Sequence, residues 1–349
     1  MQQELRFATF NVLNLAPPGV RFYVDQEPYA QSEYEAKLQW TAQQLDLLDA
    51  DVIGFQEIFS QAVLREVLAR TQLYRNAHHV GFDPEGHADF DRNMRAGVLT
   101  PSVALVSRLP LAGPGTCHSR MPHGLTIALP GAEAPVSAFT RPILHAQVIA
   151  GDDEPVLPGR PAPKPQLIDV FVCHLKSKRP DFQTTGLSTE QDSYQLGLAM
   201  LRSMIRRGAE ALGLRYLVSD QLRRQRRPLV VLGDFNDVAA AMTTQLVTGA
   251  AERRTVRDGP TDRLFDSYRI QTRSRPVRDV GYTHSHEGVM ETIDHVLVSD
   301  AFEPGGANAI GEVLEVIYIN DHLRLRLPQA SDHGIVLVRV LLFNPVTPG

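Results

Sequence analysis

The sequence has little cysteine and no long apolar run. Cys117 and Cys173 are the only cysteines among 349 residues, and they lie far apart in the chain. Two isolated cysteines argue against a disulfide framework and fit a reducing compartment. No segment approaches the roughly 18 to 20 consecutive apolar residues of a membrane span, and the first residues lack the basic region and apolar stretch of a signal peptide. We therefore expect a cytoplasmic protein with no membrane span.

The sequence also lacks an excess of positive charge. It carries 35 Lys and Arg against 40 Asp and Glu, a formal net charge of −5. The surface as a whole is therefore not built to hold a long nucleic acid, although local basic patches could do so. One such patch is a group of arginines that we interpret as a solvated helix face, with nucleic-acid binding as the alternative. Its members are Arg202, Arg206, Arg207, Arg223, Arg224, Arg226 and Arg227.

What is present is a mixture of helix and strand patterns. The apolar spacing predicts helices over 32–48, 60–69 and 189–225, and Gly208 and Gly213 are candidate breaks in the last of them. Short apolar or β-branched segments predict strands over 5–12, 51–57, 98–106, 124–129, 136–149, 167–175, 229–232, 291–298, 313–319 and 331–338. We expect a single domain over 1–349, in which the Pro-rich stretch 151–165 is a surface insertion.

The most informative stretch is the strand Leu229–Leu232 with the Gly-Asp-Phe-Asn that follows it. Asp234 and Asn236 are two residues apart, so their side chains face the same side if the backbone stays extended. A carboxylate beside an amide at the end of a core strand suits a hydrated cation, a phosphate or an attacking water. The alternative is a turn that only ends the strand.

Polar residues stand at the ends of five further predicted strands. A polar group at the end of a buried strand costs free energy unless it is paired, so six such ends together favour a functional site. Glu57, Asp332 and Asn11 offer hard oxygen ligands for Mg²⁺. Asp294 and His333 form a potential carboxylate–imidazole pair. The histidine His174 is placed to donate to a phosphoryl oxygen as negative charge develops.

In these pieces the chain resembles the endonuclease/exonuclease/phosphatase superfamily, whose members include DNase I. The matching segments occur in the family's order and extend from residue 11 to 333: Phe10-Asn11, Gln56-Glu57, His174 in Cys-His-Leu-Lys, Gly233 to Asn236, Ile293 to His295 and Ser331 to His333. The resemblance implies an α/β fold of the DNase I type, a four-layer sandwich in which two packed, mainly antiparallel or mixed β-sheets are flanked by helices.

The resemblance also implies a role for each matching residue. Glu57 would be the principal metal ligand, with Asn11 and Asp332 beside it. Asp234 would orient or activate the attacking water, and Asn236 would fix the water or the phosphate. The remaining residues would act on the phosphate: His333 held by Asp294, His174 opposite that pair, and, as a looser match, Arg141 in Thr-Arg-Pro.

Two weaker signals concern the substrate. Lys176, Lys178 and Arg179 directly follow the strand that carries His174, so we expect them near the mouth of the pocket, with a solvated basic turn as the alternative. The segment 281–288 contains His284 and is interpreted as a loop that walls the substrate pocket; metal binding there is conceivable but not needed by the oxygen-rich site.

These observations predict a Mg²⁺-dependent phosphoesterase, with Mn²⁺ as a possible substitute, that hydrolyses a phosphodiester by direct attack of water. The substrate is either a nucleic acid or a small-molecule or lipid ester, and no obligate protein partner is evident. Two alternatives stay open: a phosphomonoesterase, and a binding protein of the same fold that has lost catalysis.

Overall fold

The structure is a computed structural model that describes residues 3–23, 26–83, 94–95, 98–151, 165–182, 192–249, 262–273 and 281–343. The predicted Pro-rich insertion, apart from its two end residues, lies outside these ranges. The single-domain organisation over 1–349 therefore stays a prediction.

The described strands and helices, in chain order, have the following bounds. The strands are β1 (Gln3–Leu15), β2 (Val52–Ile58), β3 (His78–Gly81), β4 (Met94–Arg95), β5 (Val98–Leu99), β6 (Ser102–Ser107), β7 (Thr116–Arg120), β8 (Ala138–Ala150), β9 (Gln166–His174), β10 (Leu229–Asp234), β11 (Leu264–Asp266), β12 (His284–His286), β13 (Val289–Glu291), β14 (Asp294–Ser299), β15 (Gly311–Ile319) and β16 (Ile335–Leu342). The helices are α1 (Gln31–Leu48), α2 (Gln61–Arg70), α3 (Ser193–Gln225), α4 (Met242–Thr248), α5 (Ser267–Ile270) and α6 (Asp321–Leu325).

Twelve of these strands form two six-stranded sheets. The first sheet has the order β15-β16-β1-β2-β6-β3, and the second has the order β11-β14-β10-β9-β8-β7. In each sheet one central pair is parallel, β1 with β2 and β9 with β10, while the other pairs are antiparallel. The predicted fold of two mixed sheets flanked by helices is thus confirmed.

The sheets pack face to face, and the helices cover their outer faces. Phe7 and Val338 of the first sheet meet Val170 and Val230 of the second in one buried cluster. The neighbouring residue Val231 points to the other face of β10 and packs in the cluster that contains α3. Because β10 is covered on both faces, all four of its leading residues are apolar, as expected for a strand in the middle of a layered α/β protein.

The two sheets come especially close at Gly54 of β2. A Cβ atom at this position would lie 2.8 Å from the Cβ of Leu232 in β10, which is closer than side chains in a packed interior approach one another. A glycine is therefore required where β2 and β10 cross. The crossing lies close to the strand ends, because Gly54 is three residues before Glu57 and Leu232 is two residues before Asp234.

Two of the wrong predictions of secondary structure concern the segment 124–129 and the helix α3. The segment 124–129 forms no regular strand; it follows a 3₁₀ turn at Pro122–Gly124 and makes only a single bridge, Ile127 with Val136. Its apolar residues pack in the cluster beneath α3 instead. The long helix is not broken at Gly208 or Gly213. Gly213 is needed because a Cβ there would lie 2.6 Å from Met121 Sδ and 2.8 Å from the Phe139 ring.

Among the helices of the described residues, none is both long enough and apolar enough to cross a bilayer.

Candidate active site

The predicted site residues converge because both sheets end at the same edge. In the second sheet β9 and β10 run parallel and β14 antiparallel to them, and the register places His174 and Asp294 on either side of Asp234. In the first sheet the parallel strands β1 and β2 pair Asn11 with Gln56, so that Glu57 follows directly beside Asn11. A strand that runs antiparallel to them, β16, begins at this edge, so the segment that precedes it reaches the site.

Asp234 is the centre of the cluster and is almost fully buried, with 1% of its surface exposed. Its Oδ1 accepts a hydrogen bond from the backbone N–H of Asn236 at 2.7 Å, and its Oδ2 accepts one from Asn11 Nδ2 at 3.0 Å. His174 Nε2 lies 3.3 Å from the same Oδ2. The bond from Asn11 connects the first sheet to the second, so it fixes the two halves of the site relative to one another.

The environment of Asp234 changes its acidity. Burial, reinforced by the nearby carboxylate of Asp294, raises the pKa of Asp234 to about 7, although His333, Asn236 and Asn11 act in the opposite direction. A carboxyl group with a pKa near neutrality can take up a proton from water and release it again at physiological pH. This property fits the predicted role of Asp234 toward an attacking water.

Asp294 and His333 form the predicted pair. His333 Nδ1 lies 2.9 Å from Asp294 Oδ2, and because a carboxylate can only accept, Nδ1 carries the proton. Burial disfavours the charged imidazolium, but the attraction of Asp294 and Asp234 outweighs it and raises the pKa of His333 well above its ordinary value. The other ring nitrogen, Nε2, lies 3.9 Å from Asp234 Oδ2. His333 is thus a cation whose free N–H faces the centre of the site.

Glu57 has a strained backbone. Its φ of 61° lies in the left-handed region, which costs a non-glycine residue roughly 1–3 kcal/mol and persists where the surroundings determine it, often at functional sites. Its Oε2 accepts the backbone N–H of Asn14 at 3.0 Å. The strain turns the carboxylate out of the regular direction of β2 and toward Asn11, whose Nδ2 lies 3.5 Å from Oε1.

The charges of the site fit a divalent cation. Four carboxylates meet here, from Glu57, Asp234, Asp294 and Asp332, and within the described residues none of them forms an ion pair with a lysine or arginine. Oxygen-rich, negatively charged donor sets are those preferred by Mg²⁺. The ligand atoms of Asp234, Asp294 and His333 also lie within 4.8 Å of one another. Glu57 and Asp332, as the carboxylates with the freest oxygens, would hold the ion.

Asn11 is placed differently from a simple oxygen ligand. Its Oδ1 accepts the backbone N–H of Leu13 at 3.1 Å, and its Nδ2 faces the carboxylates of Glu57 and Asp234. In this arrangement Asn11 orients two acids that the chemistry needs. Its role as a metal ligand stays a prediction.

His174 is a neutral imidazole in this site. It is 2% exposed, and burial, with the nearby Arg141 as the next cause, lowers its pKa well below the ordinary value. Its Nδ1 is buried and has no hydrogen-bond partner within the described residues. The imidazole can therefore offer an N–H from Nε2 toward Asp234, or to a phosphoryl oxygen next to it.

Arg141 lies beside His174 and is the cation best placed for a phosphate. It is 8% exposed, and Nη1 makes only a long bond of 3.4 Å to the carbonyl of Leu175. The positive charge of Arg141 also offsets part of the rise that burial causes in the pKa of Tyr23, while Nε is buried without a partner in the described chain. A buried guanidinium with an unused N–H suits an anionic substrate group.

Lys176 and His284, the other two predicted substrate residues, differ in their placement. The ammonium of Lys176 donates to the carbonyls of Ser177 and Arg179, at 3.2 and 2.8 Å, so it is held by its own loop. Burial and the repulsion of Arg141 lower the pKa of Lys176 to about 8. His284 lies in β12 of a short hairpin instead of the predicted loop, and its ring centre is 5.1 Å from that of His333. Substrate contact stays a prediction for both.

The sequence did not indicate a role for Glu210 of α3, whose carboxylate supports the backbone next to the site. Glu210 is 1% exposed; its Oε1 accepts the backbone N–H of Thr140 at 2.8 Å, and its Oε2 accepts that of Lys176 at 2.7 Å. The N–H of Thr140 directly precedes Arg141 of β8, and the N–H of Lys176 lies two residues after His174, the last residue of β9. The sequence signal that could have identified it is the position of an acid on the inward face of the helix, three residues after Arg207 and four before Leu214.

We expect Glu210→Ala to lower the free energy of unfolding by about 2–4 kcal/mol, because two buried backbone N–H groups lose their acceptor. Hydrolysis should fall as Arg141 and His174 lose their fixed positions. Glu210→Gln keeps one oxygen acceptor and should lose roughly half as much stability. Urea unfolding measures the effect, with Glu35→Ala, which removes an exposed ion pair to Arg70, as the control that should leave stability nearly unchanged. Equal effects of Glu210→Ala and Glu35→Ala would contradict the supporting role.

Hydrogen bonds from three further side chains fix the backbone around His333. Ser331 Oγ donates to the carbonyl of Asn11 at 2.6 Å and accepts the backbone N–H of His333 at 3.0 Å. His322 of α6 bonds the carbonyl of His333 at 2.7 Å. Thr283 Oγ1 accepts the backbone N–H of Asp294 at 3.2 Å. The imidazole–carboxylate pair is therefore held at both of its backbone positions.

Comparison with known proteins agrees with this geometry. The sequence profile of the Endonuclease/Exonuclease/phosphatase family matches residues 8–333. An endonuclease/exonuclease/phosphatase structure from Bacteroides vulgatus aligns over 98% of this chain and 100% of its own, with a TM-score of 0.57 and 14% identity. A mannosyl-6-phosphatase from Bacteroides thetaiotaomicron aligns over 97% and 100%, with a TM-score of 0.54 and 16% identity. The human Nocturnin catalytic domain aligns over 98% of both chains, with a TM-score of 0.54 and 12% identity.

At these identities the structural likeness shows the fold, and it covers nearly the whole chain. A sequence comparison with curated proteins finds no match.

Proposed function

The chain belongs to the endonuclease/exonuclease/phosphatase family, and on that premise we propose that it is a Mg²⁺-dependent hydrolase of a phosphodiester. The observation that carries the proposal is the group around Asp234. A carboxyl group with a pKa of about 7 lies 3.9 Å from the imidazolium of His333, which Asp294 holds in place. A proton acceptor next to a fixed cation is the arrangement that water attack on a phosphate ester requires.

The proposed reaction is a direct displacement in which the water oxygen bonds to phosphorus as the ester P–O bond breaks, and the leaving alkoxide takes a proton from solvent. Asp234 accepts the proton of the water whose oxygen attacks phosphorus, and Asn236 fixes the water or the phosphate. The negative charge that develops on the phosphoryl oxygens is stabilised by N–H donors of His333, Arg141 and His174. Glu57 and Asp332, with Asn11 beside them, would hold Mg²⁺, which when bound would neutralise phosphate charge.

The neighbouring thiol does not offer a covalent route. Cys173 is fully buried, and burial together with the nearby Asp234 raises its pKa well above the ordinary value. A buried, protonated thiol is a poor nucleophile. This supports attack by water without a covalent enzyme intermediate.

The proposal predicts that Mg²⁺ supports hydrolysis of bis-p-nitrophenyl phosphate and that Glu57→Gln reduces the rate by about 10²-fold or more, because the substitution removes the carboxylate charge offered to the ion. Higher Mg²⁺ concentration should restore part of the loss. Glu66→Gln, a change of the same type at an acid that bonds Tyr34 on the helical side of the first sheet, is the control and should retain full activity.

Absence of turnover in the wild type with both Mg²⁺ and Mn²⁺ would favour the catalytically inactive binding protein. Faster hydrolysis of p-nitrophenyl phosphate than of the diester would favour the phosphomonoesterase, an alternative that gains some support from the phosphatase among the similar structures.

The possible classes of substrate can be distinguished with one preparation of the protein. A panel of plasmid DNA, abasic DNA, RNA, sphingomyelin and phosphoinositides should be assayed across a range of salt concentrations. A steep loss of activity with salt would indicate a polyanion such as nucleic acid, whereas a flat response would indicate a small ester. The cytoplasmic location also stays a prediction.

A further inference from the structure

A second group of potential metal ligands lies at the outer side of the site. The ligand atoms of His284, Asp332 and His333 are within 4.8 Å of one another. His333 Nε2 and Asp332 Oδ1 are 4.0 Å apart, and the rings of His284 and His333 are centred 5.1 Å from each other. The group differs from the oxygen-rich set of Glu57 and its neighbours because two of its three donors are imidazoles.

The backbone holds His284 firmly at this position. His284 forms an isolated β-bridge with His333, and the preceding carbonyl, that of Thr283, accepts a short bond of 2.6 Å from the N–H of Gly334. Its hairpin partner Glu291 is in turn tied to Lys178 by an ion pair of 2.9 Å. The backbone of His284 is therefore a fixed part of the site wall.

The third donor can move to complete the group. The side chain of Asp332 is 55% exposed, so its carboxylate can rotate without disturbing a packed core. Ligands at about 2.0–2.2 Å from a tetrahedral ion are roughly 3.4 Å apart. The ligand atoms lie within 4.8 Å of one another, so they must approach by up to about 1.4 Å to reach this spacing, which requires rotation of both the Asp332 and the partly buried His284 side chains.

His333 already has the orientation of a metal-binding histidine. Its Nδ1 donates to Asp294 at 2.9 Å, which leaves Nε2 as the nitrogen that faces Asp332. A carboxylate bonded to the far nitrogen of a ligating imidazole is the usual support of histidine ligands, since it fixes both the tautomer and the ring orientation.

We propose that His284, Asp332 and His333 bind Zn²⁺, with the fourth position open to water; as the ion binds, the proton of His333 Nε2 is released to solvent and Nε2 becomes a ligand. Two imidazoles and one carboxylate form a three-ligand set that suits Zn²⁺ and other borderline transition metals better than Mg²⁺. Binding would occupy two groups that the proposed function uses: Asp332, which it assigns to Mg²⁺, and the Nε2 of His333, which it directs to the phosphate. Zn²⁺ is therefore expected to inhibit hydrolysis supported by Mg²⁺, a consequence that rests on the proposed function, whereas the binding itself does not.

The binding is tested on the full chain without substrate. Zn²⁺ affinity is measured by calorimetry, and Co²⁺ is used as a spectroscopic probe, because the visible absorption of bound Co²⁺ reports a four-coordinate site with nitrogen ligands. We expect His284→Ala to weaken Zn²⁺ binding by about tenfold or more and to remove the Co²⁺ absorption. His286→Ala is the matched control, because His286 is exposed, lies on the same strand and stacks on His284 at 6.2 Å; it should change the Zn²⁺ affinity by less than about twofold.

Unchanged Zn²⁺ affinity in His284→Ala, or the absence of a four-coordinate Co²⁺ spectrum in the wild type, would overturn the proposal. His284→Gln retains a side chain of similar length and guards against loss of the hairpin, so it must show the same loss of affinity. If Zn²⁺ binds as expected but the diester is not hydrolysed with Mg²⁺, the catalytic function fails and the Zn²⁺ site stands. If hydrolysis proceeds and Zn²⁺ does not bind, the catalytic function stands and the Zn²⁺ site fails.

Discussion

Replacing Asp234 with asparagine is expected to reduce hydrolysis of bis-p-nitrophenyl phosphate by about 10³-fold or more while the protein stays folded. The asparagine keeps the oxygen that accepts the N–H of Asn236 but cannot take a proton from the attacking water. Loss of a positioned proton acceptor costs about 10²–10⁴-fold. The rate with saturating Mg²⁺ is the measurement.

The stability of the same variant gives an independent check. Because burial raises the pKa of Asp234 from 3.8 to about 7, its ionisation destabilises the folded state progressively as the pH rises between these values, by on the order of 4 kcal/mol once the pH is above 7. Removing the charge should therefore leave the free energy of unfolding at pH 8 equal to or higher than that of the wild type, even though the new amide meets the N–H donors of Asn11 and His174.

The control for this variant is Asp237→Asn. Asp237 follows three residues later but pairs with Arg207 at 3.1 Å and accepts from Thr243, away from the cluster. It should lose stability and retain most of its activity, the opposite pattern to Asp234→Asn. Comparable activity in the two variants would contradict the assignment of Asp234 as the proton acceptor.

His333→Ala is expected to abolish activity and also to destabilise the fold. The substitution removes the cation that faces the phosphate and leaves Asp294, 1% exposed, without its partner. Breaking a buried pair by deletion of one member costs about 3–5 kcal/mol, chiefly because an uncompensated charge stays buried. Urea unfolding and hydrolysis of the diester measure the two effects.

A double variant separates the two effects. In His333→Ala with Asp294→Asn the unpaired charge is gone, so most of the stability lost by the single variant should return. The activity should not return, because the imidazole is still absent. Recovery of both, or of neither, would show that the pair does not act as the geometry indicates.

The sequence indicates which residue types stand at the strand ends, but not how they are arranged. Asp234, Asp294 and His174 were recognised as polar residues at the ends of apolar strands, which is a local pattern. That the three stand in one row depends on β9, β10 and β14 being neighbours in register. Pairing between strands that are more than 50 residues apart leaves no local trace, so only the family resemblance pointed to it.

The residues that support the site could not be predicted in the same way. Glu210 is one of several buried polar residues in α3, and only its hydrogen bonds to the backbone of β8 and of the segment after β9 distinguish it. Gly213 was read as a helix breaker because glycine has a low helix propensity. Its actual role depends on Met121 and Phe139, which approach from a distant segment.

The close approach of the two sheets at Gly54 has a consequence for how this site tolerates change. Glu57 and Asn11 belong to one sheet, while Asp234, His174 and Asp294 belong to the other, and Gly54 with Leu232 sets the separation of the sheets just beneath them. A single methyl group at position 54 would widen that separation and displace acids that it does not touch. Selection on catalysis would therefore keep this glycine even in a background stable enough to absorb the packing defect, and a survey of tolerated substitutions should find position 54 as restricted as the acids themselves.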